Sequence, residues 1–157
     1  MHAMQKTIAD LVPDRAPPTV TRDAMVSEAI GVMRAQDQHA VLVLDEAGEA
    51  LVGIFTERDL LNRVAAPGKD AMATPVSEVM TASPTVLARS GSVAYAVNRM
   101  GLEGFSNVPV VDDAGRAVGL LDVWDVIAHL TDVFADLEAP EMLKDPASPW
   151  LDLGGGG

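Results

Sequence analysis

VLVLDEAG, residues Val41 to Gly48, returns further along the chain as VPVVDDAG, residues Val108 to Gly115, displaced by 67 positions. GIFTERDLL, from Gly53 to Leu61, returns as GLLDVWDVI, from Gly119 to Ile127, displaced by 66, so a one-residue slip falls in the turn between the two phrases. Upstream, Val26, Ile30 and Met33 recur as Val93, Val97 and Met100 with the i, i+4, i+7 spacing of an amphipathic helix face. Thr19 and Val20 recur as Thr85 and Val86, and the lead-in Ile8 to Val12 echoes Val76 to Met80. A chain with two copies of one supersecondary unit must be read as a repeat before anything else.

Each copy reads as a short extended piece, a helix, two strands around an Asp-x-x-Gly turn, and a second helix. The first copy places these at about 19 to 21, 26 to 36, 41 to 44, 51 to 55 and 57 to 65. The second places them at 85 to 87, 92 to 101, 108 to 111, 117 to 121 and 122 to 137. Gly48 and Gly115 supply the positive φ that such turns need. One copy alone buries too little apolar surface to be stable, whereas two can cover each other. The expected fold class is α/β, an α+β arrangement of sheet-helix repeats related by a pseudo-twofold axis. Its parts are a first repeat at 7–66, a connector and lead-in rich in proline at 67–83, a second repeat at 84–134 and a loose tail at 135–157.

Composition narrows the function. With 48% hydrophobic residues but only 4% aromatics, the core is built from Val, Leu, Ile, Ala and Met. A formal net charge of -12 opposes a phosphate backbone, so nucleic acid is not an expected partner. The chain has no cysteine, which removes disulfides, thiolate metal sites and thiol nucleophiles together. Its longest charge-free stretch, about Val79 to Ala88, is far shorter than the roughly 20 apolar residues of a membrane span. The start of the chain lacks the apolar core of a signal peptide. A soluble, cytoplasmic protein is expected.

At these residues the chain resembles a pair of CBS (cystathionine β-synthase) domains, whose ligand signature is Gly, a hydrophobic residue, any residue, Thr or Ser, any two, then Asp. Gly53, Ile54, Phe55, Thr56, Glu57, Arg58 and Asp59 match it in full. The resemblance spans about residues 7 to 134 and implies a free-standing regulatory module that binds an adenosine-containing nucleotide such as AMP, ADP, ATP, S-adenosylmethionine or NAD. It gives Thr56 the phosphate or other tail of the ligand, and Asp59 the ribose hydroxyls. Adenine is then expected against the strands near Thr19, Val20, Thr21, Val41 and Val43. The bland alternative is that Thr56 and Asp59 only cap a helix, since Thr-x-x-Asp is close to the Ser/Thr-x-x-Glu box.

The second copy separates these readings, because Asp122 replaces the threonine while Asp125 persists. The exchange is neutral for capping. It is adverse for phosphate, since like charges about 4 Å apart at an effective dielectric near 20 cost on the order of 4 kcal/mol. The second site, drawn from Asp125, Asp122, Gly119, Leu120, Thr85, Asn107 and Val108, is therefore expected to be empty or to take a ligand whose nearby group is neutral or cationic.

Other polar residues keep two readings. His39 either approaches a phosphate or sits in a turn. Arg58 either points at the ligand or lies on a solvated helix face. Asn107 either bonds a ligand or serves the turn, and Trp124 either stacks on a base or buries itself at a contact between subunits. An enzyme is not expected, because no nucleophile, base and orienting group, and no metal-ligand spacing, can be assembled. No cofactor or metal is required. A homodimer is expected, formed through helix faces that include Val126, Ile127 and Leu130, along with an effector protein that senses the ligand. The competing function is a structural dimerisation or adaptor domain whose ligand sites have decayed.

Overall fold

The computed structural model describes residues 6–12 and 15–136. Helix α1 (Ile8–Leu11) precedes β1 (Thr19–Thr21), α2 (Val26–Gln36), β2 (Ala40–Leu44) and β3 (Leu51–Thr56). Helix α3 (Glu57–Asp59) continues directly into a wider π turn, Leu60–Ala65. A single 3-10 turn (Val76–Glu78) and β4 (Thr81–Ala82) follow, then β5 (Leu87–Ala88), α4 (Val93–Glu103), β6 (Asn107–Val111), β7 (Ala117–Asp122) and α5 (Val123–Asp136). The expected tail lies almost wholly outside the described residues.

Two small sheets result, ordered β1-β2-β3-β4 and β5-β6-β7. In each, the entering strand is parallel to the next and the hairpin pair is antiparallel. The pairings repeat faithfully: Val41 faces Phe55 as Val108 faces Leu121, and the register slips at Val43/Leu44 as at Val110/Val111. The one-residue offset between copies sits in the connecting turn. Asp45 N–H donates to the carbonyl of Ala50 at 2.8 Å, whereas Asp112 N–H reaches only as far as Arg116 at 3.0 Å. Gly48 and Gly115 take φ of 74° and 77°, the left-handed geometry that an L side chain resists.

Strand periodicity of two sends alternate residues to opposite faces. Val41, Val43 and Phe55 point under α2 and pack with Val26, Ala29 and Met33. Their neighbours Ala40, Leu42 and Ile54 face the other way and meet Leu120 of the second repeat. The second sheet likewise buries Val108, Val110 and Leu121 beneath Ala96, Met100 and Val126. The two sheets are therefore joined through the faces that carry no helix, which is how each copy covers what the other leaves exposed.

The lead-ins are exchanged. Ile8 packs in the second repeat's core with Leu87 and Leu121, while Val76 and Val79 complete the first repeat's core. Thr7 bridges Ser92, and Pro75 bridges Met25. Two glycines accept this crossing: a Cβ on Gly53 would strike the Met80 sulfur, and one on Gly119 would strike Val12.

Some expectations change. The stretch 85 to 87 is mostly not strand, since β5 covers only Leu87 and Ala88, and the connector contributes a strand of its own in β4. The helix face expected to be exposed is split. Val126 is buried and Leu130 packs against the second core, whereas Ile127 is exposed together with Trp124 and Phe134. The turn of an α-helix puts residues three and seven apart on one side, so Trp124, Ile127 and Phe134 form the outer stripe.

Candidate functional site

Strands β3 and β7 end at Thr56 and Asp122, and a helix begins immediately after each. Both ends open into one cavity of about 630 Å³ that spans the two repeats. The first repeat contributes His39, Ile54, Thr56, Arg58, Asp59 and Arg63. The connector contributes Thr81, and the second repeat contributes Thr85, Phe105, Asn107, Asp122 and Trp124 among others. The volume lies within the roughly 300–1,000 Å³ of small-molecule sites.

Asp59 is only 7% exposed, yet it lies on the cavity wall. Its Oδ2 accepts from the backbone N–H and the hydroxyl of Thr56 at 3.0 and 3.1 Å, and Asp59 N–H donates back to that hydroxyl oxygen at 3.2 Å. The capping arrangement is thus present in full. Its Oδ1 has only longer neighbours, the Thr81 hydroxyl at 3.4 Å and Arg63 Nε at 3.5 Å. One carboxylate oxygen serves the fold and the other keeps only longer contacts on a residue of the cavity wall, so capping and ligand binding are compatible in the same residue.

Three of the amides at this helix start are already used, unlike those that a bare helix N-terminus offers an anion. Thr56 and Asp59 use theirs within the cap, and Glu57 N–H donates to the carbonyl of His39 at 3.1 Å. Positive charge comes instead from side chains. Arg58 lines the cavity, and His39 Nδ1 lies 3.1 Å from Glu57 Oε1. The hydrogen bond to Glu57 holds His39 above its ordinary pKa, against a desolvation that lowers it, with Asp122 and Asp37 adding to the rise.

The second copy builds a similar start with different chemistry. Asp122 N–H donates to Asp125 Oδ2 at 3.0 Å, and Val123 N–H donates to the carbonyl of Ser106 at 2.8 Å. Where Thr56 accepts from the third amide on, Asp122 Oδ1 accepts from Trp124 N–H at 2.8 Å. Burial raises the Asp125 pKa, the hydrogen bond from Asp122 N–H opposes it, and the charge of Asp122 adds to the rise while Arg15 lowers it.

Of the expected residues, Thr56, Asp59, Ile54, Arg58 and His39 come together on this wall, while Gly53 and Phe55 lie behind it in β3. The expected adenine wall does not form there. Val41 and Val43 are wholly buried beneath α2, on the face opposite to Ile54. Thr19, Val20 and Thr21 form β1, at the edge of the sheet remote from β4. The strand beside the cavity is β4, so Thr81, Pro84 and Thr85 take that place. Asp122, Thr85 and Asn107 were expected in a separate second site, but they line this same cavity, whereas Asp125, Gly119, Leu120 and Val108 do not. Arg63, Thr81, Phe105 and Trp124 are wall residues that the signature does not include; the exchange of lead-ins is what brings Thr81 here.

Among the described residues no cluster of three or more His, Asp or Glu side chains is placed to hold a metal ion, and no helix is long and apolar enough to cross a membrane.

The CBS domain family model matches residues 8–66 and 76–132. The CBS-domain containing protein ATU1752 from Agrobacterium tumefaciens is 31% identical, with 83% of this chain and 97% of that one covered at a TM-score of 0.73. The CBS domain pair of protein MJ0100, solved in complex with 5′-methylthioadenosine and S-adenosyl-L-methionine, is 27% identical, with 80% and 99% covered at a TM-score of 0.69. The meiotically up-regulated gene 70 protein of Schizosaccharomyces pombe is 40% identical over 100 residues, which are 63% of this chain and 13% of that protein. The chain spans 13 to 21% of the length of the first such curated relatives.

Proposed function

This chain belongs to the CBS domain family, and from that premise we propose that it is a regulatory module binding an adenosine-containing nucleotide in the cavity between its repeats. The observation that carries this reading is Asp59, a nearly buried carboxylate on the wall of a cavity of ligand size, with Oδ2 consumed by Thr56 and Oδ1 left with only longer contacts. A carboxylate oxygen in that position accepts from ribose hydroxyls, and charge-assisted bonds of this kind contribute about 1.5–3 kcal/mol. The nucleotide tail runs toward His39 and Arg58, with the Asp122 charge near His39 opposing an extended polyphosphate. The similar pair solved with two adenosyl compounds supports the ligand class. The module performs no chemistry of its own and hands the signal to an effector protein in the cytoplasm.

Thermal unfolding with AMP, ADP, ATP, S-adenosylmethionine and NAD tests this. A ligand at 100 times its Kd adds about 2.7 kcal/mol, which for a chain of this size raises Tm by roughly 5 to 10 °C. Asp59→Asn keeps an acceptor for Thr56 but loses the charge, and it should abolish the shift. If no adenosyl compound raises Tm, the sensor reading is wrong.

A second reading has its own observation. Trp124, Ile127 and Phe134 are 65%, 42% and 56% exposed along the outer side of α5. That stripe supports a homodimer, either as part of the sensor or as the whole function of an adaptor. Sedimentation of wild type against Ile127→Glu checks the dimer, and the ligand panel separates sensor from adaptor.

A further inference from the structure

We propose that Arg63 is a positioning residue that presents the Asp59 carboxylate to the vicinal hydroxyls of a bound nucleoside. The inference rests on the nucleotide reading above and extends it to a residue outside the ligand signature.

After only three α-helical residues the chain widens into the π turn Leu60–Ala65. The wider winding is carried through the end of the segment, where Ala66 N–H donates to Leu61 and Lys69 N–H to Val64, each five residues back and at 2.9 Å. Such turns are rare and frequently lie at functional sites. This one carries Arg63, four residues after Asp59 and on its face of the helix.

The guanidinium makes two kinds of contact. Its Nη1 donates to the backbone carbonyls of Met80 at 2.6 Å and Val79 at 3.3 Å, while Nε lies 3.5 Å from Asp59 Oδ1. Met80 is itself fixed, because its side chain fills the space beside Gly53. The planar fork therefore holds its own orientation from the lead-in backbone and sets Nε 3.5 Å from Oδ1. That oxygen is steadied by Arg63 and Thr81 yet tightly bonded to neither, so lone pairs remain for ligand hydroxyls.

An ion pair whose cation is 49% exposed contributes little to folding, so stability accounts for the bonds from Arg63 to Val79 and Met80 but not for its place beside Asp59. Positioning does. Without the guanidinium, Oδ1 loses its cationic neighbour, and the carboxylate keeps only the Thr56 bonds on Oδ2 to orient it.

The test is calorimetric titration of the full chain with adenosine 5′-monophosphate and with its 2′,3′-dideoxy analogue, for wild type, Arg63→Met and Arg63→Lys. Wild type should prefer the ribose form by about 10- to 100-fold, the worth of one charge-assisted hydroxyl bond. Arg63→Met should lose at least fivefold of that preference, its affinity falling more for adenosine 5′-monophosphate than for the dideoxy analogue. Arg63→Lys should recover part of it, since an ammonium keeps the charge without the fork. A preference undiminished in Arg63→Met, or affinity lost equally for both analogues, would show that Arg63 is merely structural. If Arg63→Met does not fold, an Arg63→Lys variant with the full wild-type preference overturns the proposal equally. Wild type that binds neither analogue removes the nucleotide reading itself, and the role of Arg63 falls with it.

Discussion

Thr56 and Asp59 bond each other twice over: the threonine hydroxyl donates to Asp59 Oδ2 at 3.1 Å and accepts from Asp59 N–H at 3.2 Å. The pair closes the start of a helix that holds only three α-helical residues before it widens. Removing the hydroxyl should therefore cost stability before any ligand is added. Thr56→Val is expected to lose about 1 kcal/mol in urea unfolding, the usual worth of an N-cap, while Thr56→Ser stays close to wild type. Equal stability of the two variants would mean that the cap contributes nothing.

Gly119 is needed for close approach, since its Cβ would meet Val12 Cγ1 of the exchanged lead-in. Gly119→Ala should destabilise the chain by about 1–3 kcal/mol, as overpacking does in a filled core. Adding Val12→Ala should restore part of that loss, a coupling that distant sites would not show. Strictly additive losses in a double-mutant cycle would contradict the packing of residue 12 on the second repeat.

Burial raises the Asp125 pKa most, and the Asp122 charge adds to the rise against the lowering bond from Asp122 N–H. The folded state then binds this proton more tightly than the unfolded chain does. Stability contributed by the protonated form is present at low pH and falls as pH rises from the ordinary carboxylate value through the raised one. Asp125→Asn keeps an oxygen for Asp122 N–H and never ionises. Its Tm should exceed that of wild type at pH 7, with the gap closing as pH falls toward 3. A gap that widens on acidification would reverse the assignment.

His39 shifts in the stabilising sense, because its partner Glu57 favours the imidazolium. That contribution is complete below its ordinary value and disappears as pH rises through the raised folded value. His39→Gln should lower stability at pH 6 by less than about 1 kcal/mol, both partners being well exposed, and should match wild type by pH 9. The affinity of AMP should fall over the same pH interval in wild type alone if its phosphate lies against this ring.

Much of the architecture is legible in one dimension. The elements from 26 to 36, 51 to 56 and 117 to 122 lie where apolar periodicity and the turn glycines put them, because those signals act between residues a few positions apart. The short β5 and the unexpected β4 are less legible. Two-residue strands carry no periodicity, and they exist only because a neighbouring strand edge is there to pair with them.

The site divides in the same way. Thr56 and Asp59 are recognisable because their spacing and the preceding Gly53 are local, and their mutual bonds form within three residues. Arg63 and Thr81 give no such signal, since what matters in them is proximity to Asp59, not sequence context. Val41 and Val43 show the converse error: their phrase repeats clearly, but the alternation that identifies a strand does not say which face meets a helix and which meets a cavity.

By itself the sequence determined that there are two copies, what each contains, and which copy keeps an intact signature. Tertiary structure decided that each lead-in crosses to the other copy, and that Asp122 and Asn107 share one cavity with Asp59. The reason is physical. The two apolar faces are built from nearly the same residues, so local pattern makes them interchangeable, and only packing the whole chain at once selects the partner for each.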